Sequence, residues 1–171
     1  SAVGEPVGFY RDRAVVLRTY KLGEADRIVV LMTENHGAVR AVAKGARRTK
    51  SRFGARMEPP THAAVQLYRG RGELDTVAQA ETIDAFRPLR DDLVALGRAL
   101  TMVETVDQMV RERPADPQLY RMLVGALRTL ETSSSPLVTA GFLWKALALD
   151  GVSPVLDRGA VCGITERLGA F

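Results

Sequence analysis

RAVAKGARRTKSRFGAR, running from Arg40 to Arg56, begins as a strand and ends as something no strand can be. Its opening belongs to a run from Ala38 to Ala43 in which Val39, Ala41 and Ala43 alternate with Arg40 and Val42, a period of two that predicts a strand. Gly45 ends that strand. Across the seventeen residues stand seven basic side chains, Arg40, Lys44, Arg47, Arg48, Lys50, Arg52 and Arg56, and no carboxylate, in a protein of formal net charge +4. Like charges at this density repel, so they belong on a surface or a long loop where an anion can meet them. Phe53 lies among them, and an aromatic among cations suits a nucleic-acid strand, whose phosphates are met by charge and whose bases by a ring face; the alternative for this ring is to anchor the loop in the fold. A solvated loop that is basic by chance is the alternative, and the absence of any compensating acid argues against it.

On either side of this stretch the chain reads as strands. Arg13 to Tyr20 and Asp26 to Thr33 are rich in β-branched and aromatic residues, and Leu22-Gly23-Glu24 between them is turn-like. Glu34-Asn35-His36-Gly37 is a turn by composition, with Gly37 free to take positive φ. After the basic loop, Pro59-Pro60 forbids regular pairing. Ala63 to Tyr68 and Leu74 to Ala80 then form a hairpin around Arg69-Gly70-Arg71-Gly72. Five short strands with a long loop after the third fit a small Greek-key barrel of the oligonucleotide-binding (OB) kind.

From Pro88 the period changes to about three and a half. Leu89, Leu93, Leu96, Leu100, Val103, Val106 and Val110 predict one helix face ending by Pro114. Asp116-Pro117 and Ser135-Pro136 are cap-then-proline starts for two more helices. Their expected buried faces are Leu119, Leu123, Ala126 and Leu130, and then Leu137, Ala140, Trp144 and Leu147, with Gly151 as the last cap. The fold class expected is thus α+β: a five-stranded OB-fold barrel over residues 1–82, the DNA-binding domain, and a helical domain over 83–171 packed against it without a flexible linker.

The chain has 171 residues, 46% of them hydrophobic, and its mean hydropathy lies near zero, as in ordinary globular proteins. No apolar run is long enough for a membrane span or a secretory signal, so a cytoplasmic location without membrane partners is expected. Residues 1–80 hold fourteen Lys or Arg against eight Asp or Glu, a net of +6; the remainder hold ten against twelve, a net of −2. The basic function belongs to the first half, and the second suits a scaffold or partner platform.

VAKGARRTKSRF (Val42 to Phe53), YRGRGEL (Tyr68 to Leu74), LRTYKLGEADRIVVLMTENHG (Leu17 to Gly37) and LDRGAVCG (Leu156 to Gly163) resemble the bacterial recombination and repair family RecO over nearly the whole chain. The resemblance implies an OB barrel with a helical C-terminal domain, and binding of single- and double-stranded DNA with annealing of complementary strands. It also implies RecR as partner, help in loading RecA onto strands coated by single-stranded DNA-binding protein, and a nucleoid-associated location. Many members hold zinc through two C-x-x-C pairs. Here Gly159 stands at the first position of one pair, Cys162 is the only cysteine, and the sequence reaches Phe171 without the second. A tetrahedral site of thiolates cannot be completed from one, so no zinc or other cofactor is expected of these 171 residues, which read as a truncated or a divergent member.

The candidate DNA-binding residues are therefore Arg40, Lys44, Arg47, Arg48, Lys50, Arg52, Phe53 and Arg56, joined by Arg69 and Arg71 if the hairpin tip folds toward the loop. No enzyme is expected. GARRTKS (Gly45 to Ser51) is one residue too short for a phosphate-binding loop and lacks the glycine before its lysine. The two histidines, His36 and His62, flank turns without nucleophile partners. Glu24 and Asp26 offer too few oxygens for a hard cation. A different class of function, a protein adaptor whose basic loop recruits an acidic partner, separates from DNA binding on whether an arbitrary oligonucleotide binds.

Overall fold

β1 (Gly8–Leu22) and β2 (Asp26–Thr33) carry the runs RAVVL and RIVVLMT, in which apolar residues do not alternate with polar ones. Such strands are covered on both faces. In a computed structural model that describes residues 6–111, 113–133 and 135–150, both faces are occupied. Ala14, Val16, Val29 and Leu31 point into one apolar cluster and Val15, Leu17, Val30 and Met32 into another.

The first cluster is the interior of a closed barrel in the order β1-β2-β3-β5-β4, with β3 Ala38–Ala43, β4 His62–Arg69 and β5 Asp75–Asp84. All neighbours are antiparallel except β3 and β5. β1 closes the ring by serving two partners, pairing with β4 from Gly8 to Val15 and with β2 from Ala14 to Leu22. A register shift between Val16 and Arg18 bends it from one to the other, as an extra residue in a strand does. This is the expected OB fold. The expected strands at Asp26–Thr33 and Ala38–Ala43 stand as read, while β1 starts five residues before the expected Arg13.

The second cluster joins the outer wall of β1 and β2 to helices α1 (Arg87–Arg90), α2 (Leu93–Val110), α3 (Pro117–Thr132) and α4 (Pro136–Leu149). The passage from β5 to α1 turns on Phe86, fully buried at φ 50°, a left-handed conformation unusual for a bulky residue. Polar ties reinforce the seam. Arg18 Nε lies 3.4 Å from a carboxylate oxygen of Asp107 on α2, and Arg90 donates to the carbonyls of Ala85 (2.9 Å) and Pro60 (2.8 Å).

Two expected helix faces are corrected. Asp92 accepts from the amides of Val94 and Ala95, starting α2 afresh after a break, so Leu93 is 85% exposed and Leu100 also faces outward. The buried row is Ala95, Ala99, Met102, Val103, Val106 and Val110, which spacing alone ranks below the leucines because two of its members are small. In α4 the face expected inside is outside: Leu137 and Trp144 are both 78% exposed and Leu147 is exposed too, while Phe142 and Ala146 are buried. PLVTAGFLWKALAL is apolar nearly all round, with only Thr139 and Lys145 polar, so its sequence does not select a face. The caps Asp116 and Ser135 stand as read, accepting from the amides of Leu119 and Leu137. Gly151 and the phrase Leu156 to Gly163, with Gly159 and Cys162, lie outside the described residues. Among those described, no helix is long and apolar enough to cross a membrane.

Candidate nucleic-acid interface

The basic loop leaves the end of β3 and folds back on the β1–β2 turn. Gly45 takes φ 70° and its amide donates to Asp26 Oδ1 at 2.8 Å, so the Asp26 carboxylate shapes the turn and no metal is needed to explain it. The Arg47 amide donates to the Ala25 carbonyl (2.9 Å) and its guanidinium to the Gly23 carbonyl. The amides of Arg48 and Ser51 close two short turns onto the carbonyls of Gly45 and Arg48, both at 3.0 Å.

The far end of the loop is held by packing. Phe53 is 1% exposed and sits with Met57 in the barrel cluster, on the single 3₁₀ turn Gly54–Met57. Of the two roles expected for it, stacking on a base or anchoring the loop in the barrel, its burial fits the anchor: the ring is a plug, because an aromatic side chain gains more from a closed apolar cavity than from solvent. Arg52 covers it, with its guanidinium carbon 4.7 Å from the ring centroid. Arg56 donates to the Arg52 and Ala80 carbonyls at 3.1 and 3.3 Å.

Anchored at both ends, the loop presents Lys44, Arg48, Lys50, Arg52 and Arg56 to solvent. Among the described residues none of the seven cations of this stretch is paired with a carboxylate. Arg47 is half-buried and committed to Gly23, and Arg40 stands on the outer side of β3, donating to the Tyr20 hydroxyl at 2.7 Å.

The hairpin arginines lie elsewhere. β5 runs parallel to β3 and begins opposite Ala41, so its preceding tip lies toward the end where β3 starts, whereas Lys44 to Arg48 leave where β3 finishes. Arg69 is turned inward, its guanidinium carbon 4.8 Å from the Tyr10 ring centroid and its Nε 3.8 Å from an Asp75 oxygen. Arg71 is exposed at the tip. Burial and the Asp75 carboxylate, which accepts from the Tyr10 hydroxyl, push that hydroxyl's pKa far up, so it stays a neutral donor.

Arg52 and Arg56 also line an open groove of about 720 Å³ on the outer side of β1, β4 and β5, with Arg11, Arg13, Gln66 and Gln79. Sequence reasoning does not single out Arg11 and Arg13 for the site, because the expected strand starts only at Arg13. The signal was present in GFYRDR, where Phe9, Arg11 and Arg13 alternate with Tyr10 and Asp12. Arg13 is held by Glu34 at 2.6 Å.

The remaining titratable candidates are structural. Asp12 accepts from the amide of Asn35 (3.0 Å) and contacts His36 Nδ1 (2.6 Å), fixing the β2–β3 turn. His62 is buried against the Tyr120 hydroxyl. Burial, with Arg128 and Arg13 adding to it, pushes the imidazole down to about 4. Among the described residues no group of His, Cys, Asp and Glu could hold a metal.

Two family models match: that described as "Recombination protein O N terminal" over residues 8–86, and "Recombination protein O C terminal" over 90–171. Two relatives called "DNA repair protein RecO", from Bifidobacterium longum strains DJO10A and NCC 2705, are each 47% identical over 164 residues, covering 94% of this chain and 68% of the relative. A barrel of the expected topology, its basic loop after the third strand and these matches lead to one statement: the chain belongs to the RecO family of DNA repair proteins.

Proposed function

We propose that this protein binds single- and double-stranded DNA without catalytic turnover and anneals complementary strands in recombinational repair. The observation that carries the reading is the loop of unpaired cations held rigidly on the barrel by Phe53, Met57 and Arg47. Lys and Arg side chains that neutralise phosphates displace the counterions condensed on the nucleic acid and release them to bulk, which drives binding regardless of sequence. Two strands held against one positive surface repel each other less, and complementary bases then meet. Family membership supports the rest: RecR as partner, help in loading RecA onto strands coated by single-stranded DNA-binding protein, and work at the nucleoid. The lone Cys162 leaves a thiolate tetrahedron open, so DNA binding as proposed draws on no zinc site within these 171 residues.

Fluorescence anisotropy over a salt series, with single- and double-stranded oligonucleotides of arbitrary sequence, tests the proposal. If Lys44, Arg48, Lys50, Arg52 and Arg56 each neutralise one phosphate, log K on single strands falls with log salt at a slope of about −3.5. Absence of binding at low salt refutes the reading. One observation favours protein contact as a second role, the exposed apolar row Leu137, Trp144 and Leu147 on α4. The two roles use different halves of the chain and coexist.

A further inference from the structure

The alternation that begins β1 puts Phe9, Arg11 and Arg13 on the outer side of the barrel, and the register sets their neighbours. Phe9 stands opposite Tyr68 of β4, Arg11 opposite Gln66, and Gln66 opposite Gln79 of β5. Phe9 is 66% exposed and Tyr68 37%, and their rings meet edge to face with centroids 5.0 Å apart. Two aromatic rings in water on an open sheet face form a surface that gains by being covered. One step along each strand the surface changes character, to the exposed guanidinium of Arg11, which no carboxylate among the described residues pairs with, and the amides of Gln66 and Gln79. At the edge of the same groove stand Arg52 and Arg56 of the basic loop.

Each of these chemistries answers one part of an unpaired nucleotide. A ring takes a base face, an amide both donates to and accepts from a base edge, and guanidinium takes phosphate. A duplex keeps its bases stacked inside and offers the rings nothing. A protein partner would be met by apolar floor, whereas this floor away from the rings is Ala64, Gln66, Ala78 and Gln79; Arg11, Arg52 and Arg56 stand over it without a carboxylate partner among the described residues, while Arg13 is taken up by Glu34 and Glu81 marks the end opposite Ala64 where phosphate is not expected. We infer that the outer face of β1, β4 and β5 is a platform for one single strand of nucleic acid, with bases on Phe9 and Tyr68 and phosphates on Arg11, Arg52 and Arg56. The inference rests on the DNA-binding reading and deepens it. The loop meets phosphates of any nucleic acid, and the platform selects the unpaired strand.

The test uses the full chain with three probes in anisotropy titrations: a twenty-nucleotide oligothymidylate, the same length of abasic strand, and a twenty-base-pair duplex. Phe9→Ala and Phe9→Leu weaken the oligothymidylate by about 5- to 150-fold, the range of one base–aromatic stack, and change the abasic strand and duplex less than about twofold. Leu keeps apolar packing against Tyr68, so a loss shared by both variants reports the ring and not the fold. Arg11→Gln lowers the single-strand salt slope by about 0.7 and leaves the duplex slope alone. Unchanged oligothymidylate affinity in both Phe9 variants, or an equal loss on the abasic strand, overturns the platform while the loop stands. A wild-type protein that binds none of the probes overturns the DNA-binding reading itself.

Discussion

Phe53 shows how one side chain sets what its neighbours can do. Its ring is buried in the barrel cluster, and the arginines on either side of it in sequence are thereby held at the surface. Phe53→Ala should cost about 3–5 kcal/mol in urea unfolding, the range for emptying an aromatic core site. It should also weaken single and double strands alike, because the loop loses its anchor and no base loses a stacking partner. A loss confined to single strands would assign the ring to stacking after all. His62 makes a prediction of another kind. In the unfolded chain its imidazole titrates near 6.5, and in the fold burial holds it at about 4. Between those values the unfolded chain takes up a proton that the folded one refuses. The contribution is therefore complete above pH 6.5 and is lost as pH falls toward 4, at no more than about 1.4 kcal/mol per pH unit. His62→Gln should flatten that part of the stability profile while keeping a polar partner for Tyr120, and identical pH slopes in urea midpoints would refute the assignment.

The basic loop is an element without regular secondary structure, held by one arginine and read by others. Arg47→Ala should lower stability by about 1 kcal/mol by freeing the Gly23 carbonyl. Arg48→Ala with Lys50→Ala should leave the melting temperature unchanged and lower the single-strand salt slope by about 1.4, two contacts' worth. A double variant with full affinity and full slope would move the site off the loop. The division of labour within GARRTKS was not legible in sequence, where Arg47 and Arg48 are equivalent. Which of two adjacent cations turns inward depends on a carbonyl supplied by the β1–β2 turn twenty-four residues away. The strands were legible because alternation and β-branching are local signals, and two of them stand residue for residue. The faces of α2 and α4 were not, since a capping aspartate resets one phase and a nearly uniform apolar sequence gives the other none. Arg11 and Phe9 were hidden by a strand boundary placed five residues late.

At the scale of the whole molecule, β1 and β2 are one wall with a core on each side. Val15, Leu17, Val30 and Met32 belong to the same apolar cluster as α2 and α3, so the barrel and the helices do not have separate interiors. A fragment of residues 6–86 keeps all five strands and should give a mainly β circular dichroism spectrum. It should also bind a hydrophobic dye and unfold at lower urea than the full chain, because that wall then meets water. A fragment as stable as the parent would show that the helices add nothing to the barrel. On the outer side of α4 stands Trp144, the only tryptophan in the chain and 78% exposed. Its indole emission is thus a built-in reporter of α4: open to a collisional quencher such as iodide in the free protein, indifferent to an oligonucleotide seated on the barrel, and shielded when another chain settles on the row Leu137, Trp144 and Leu147.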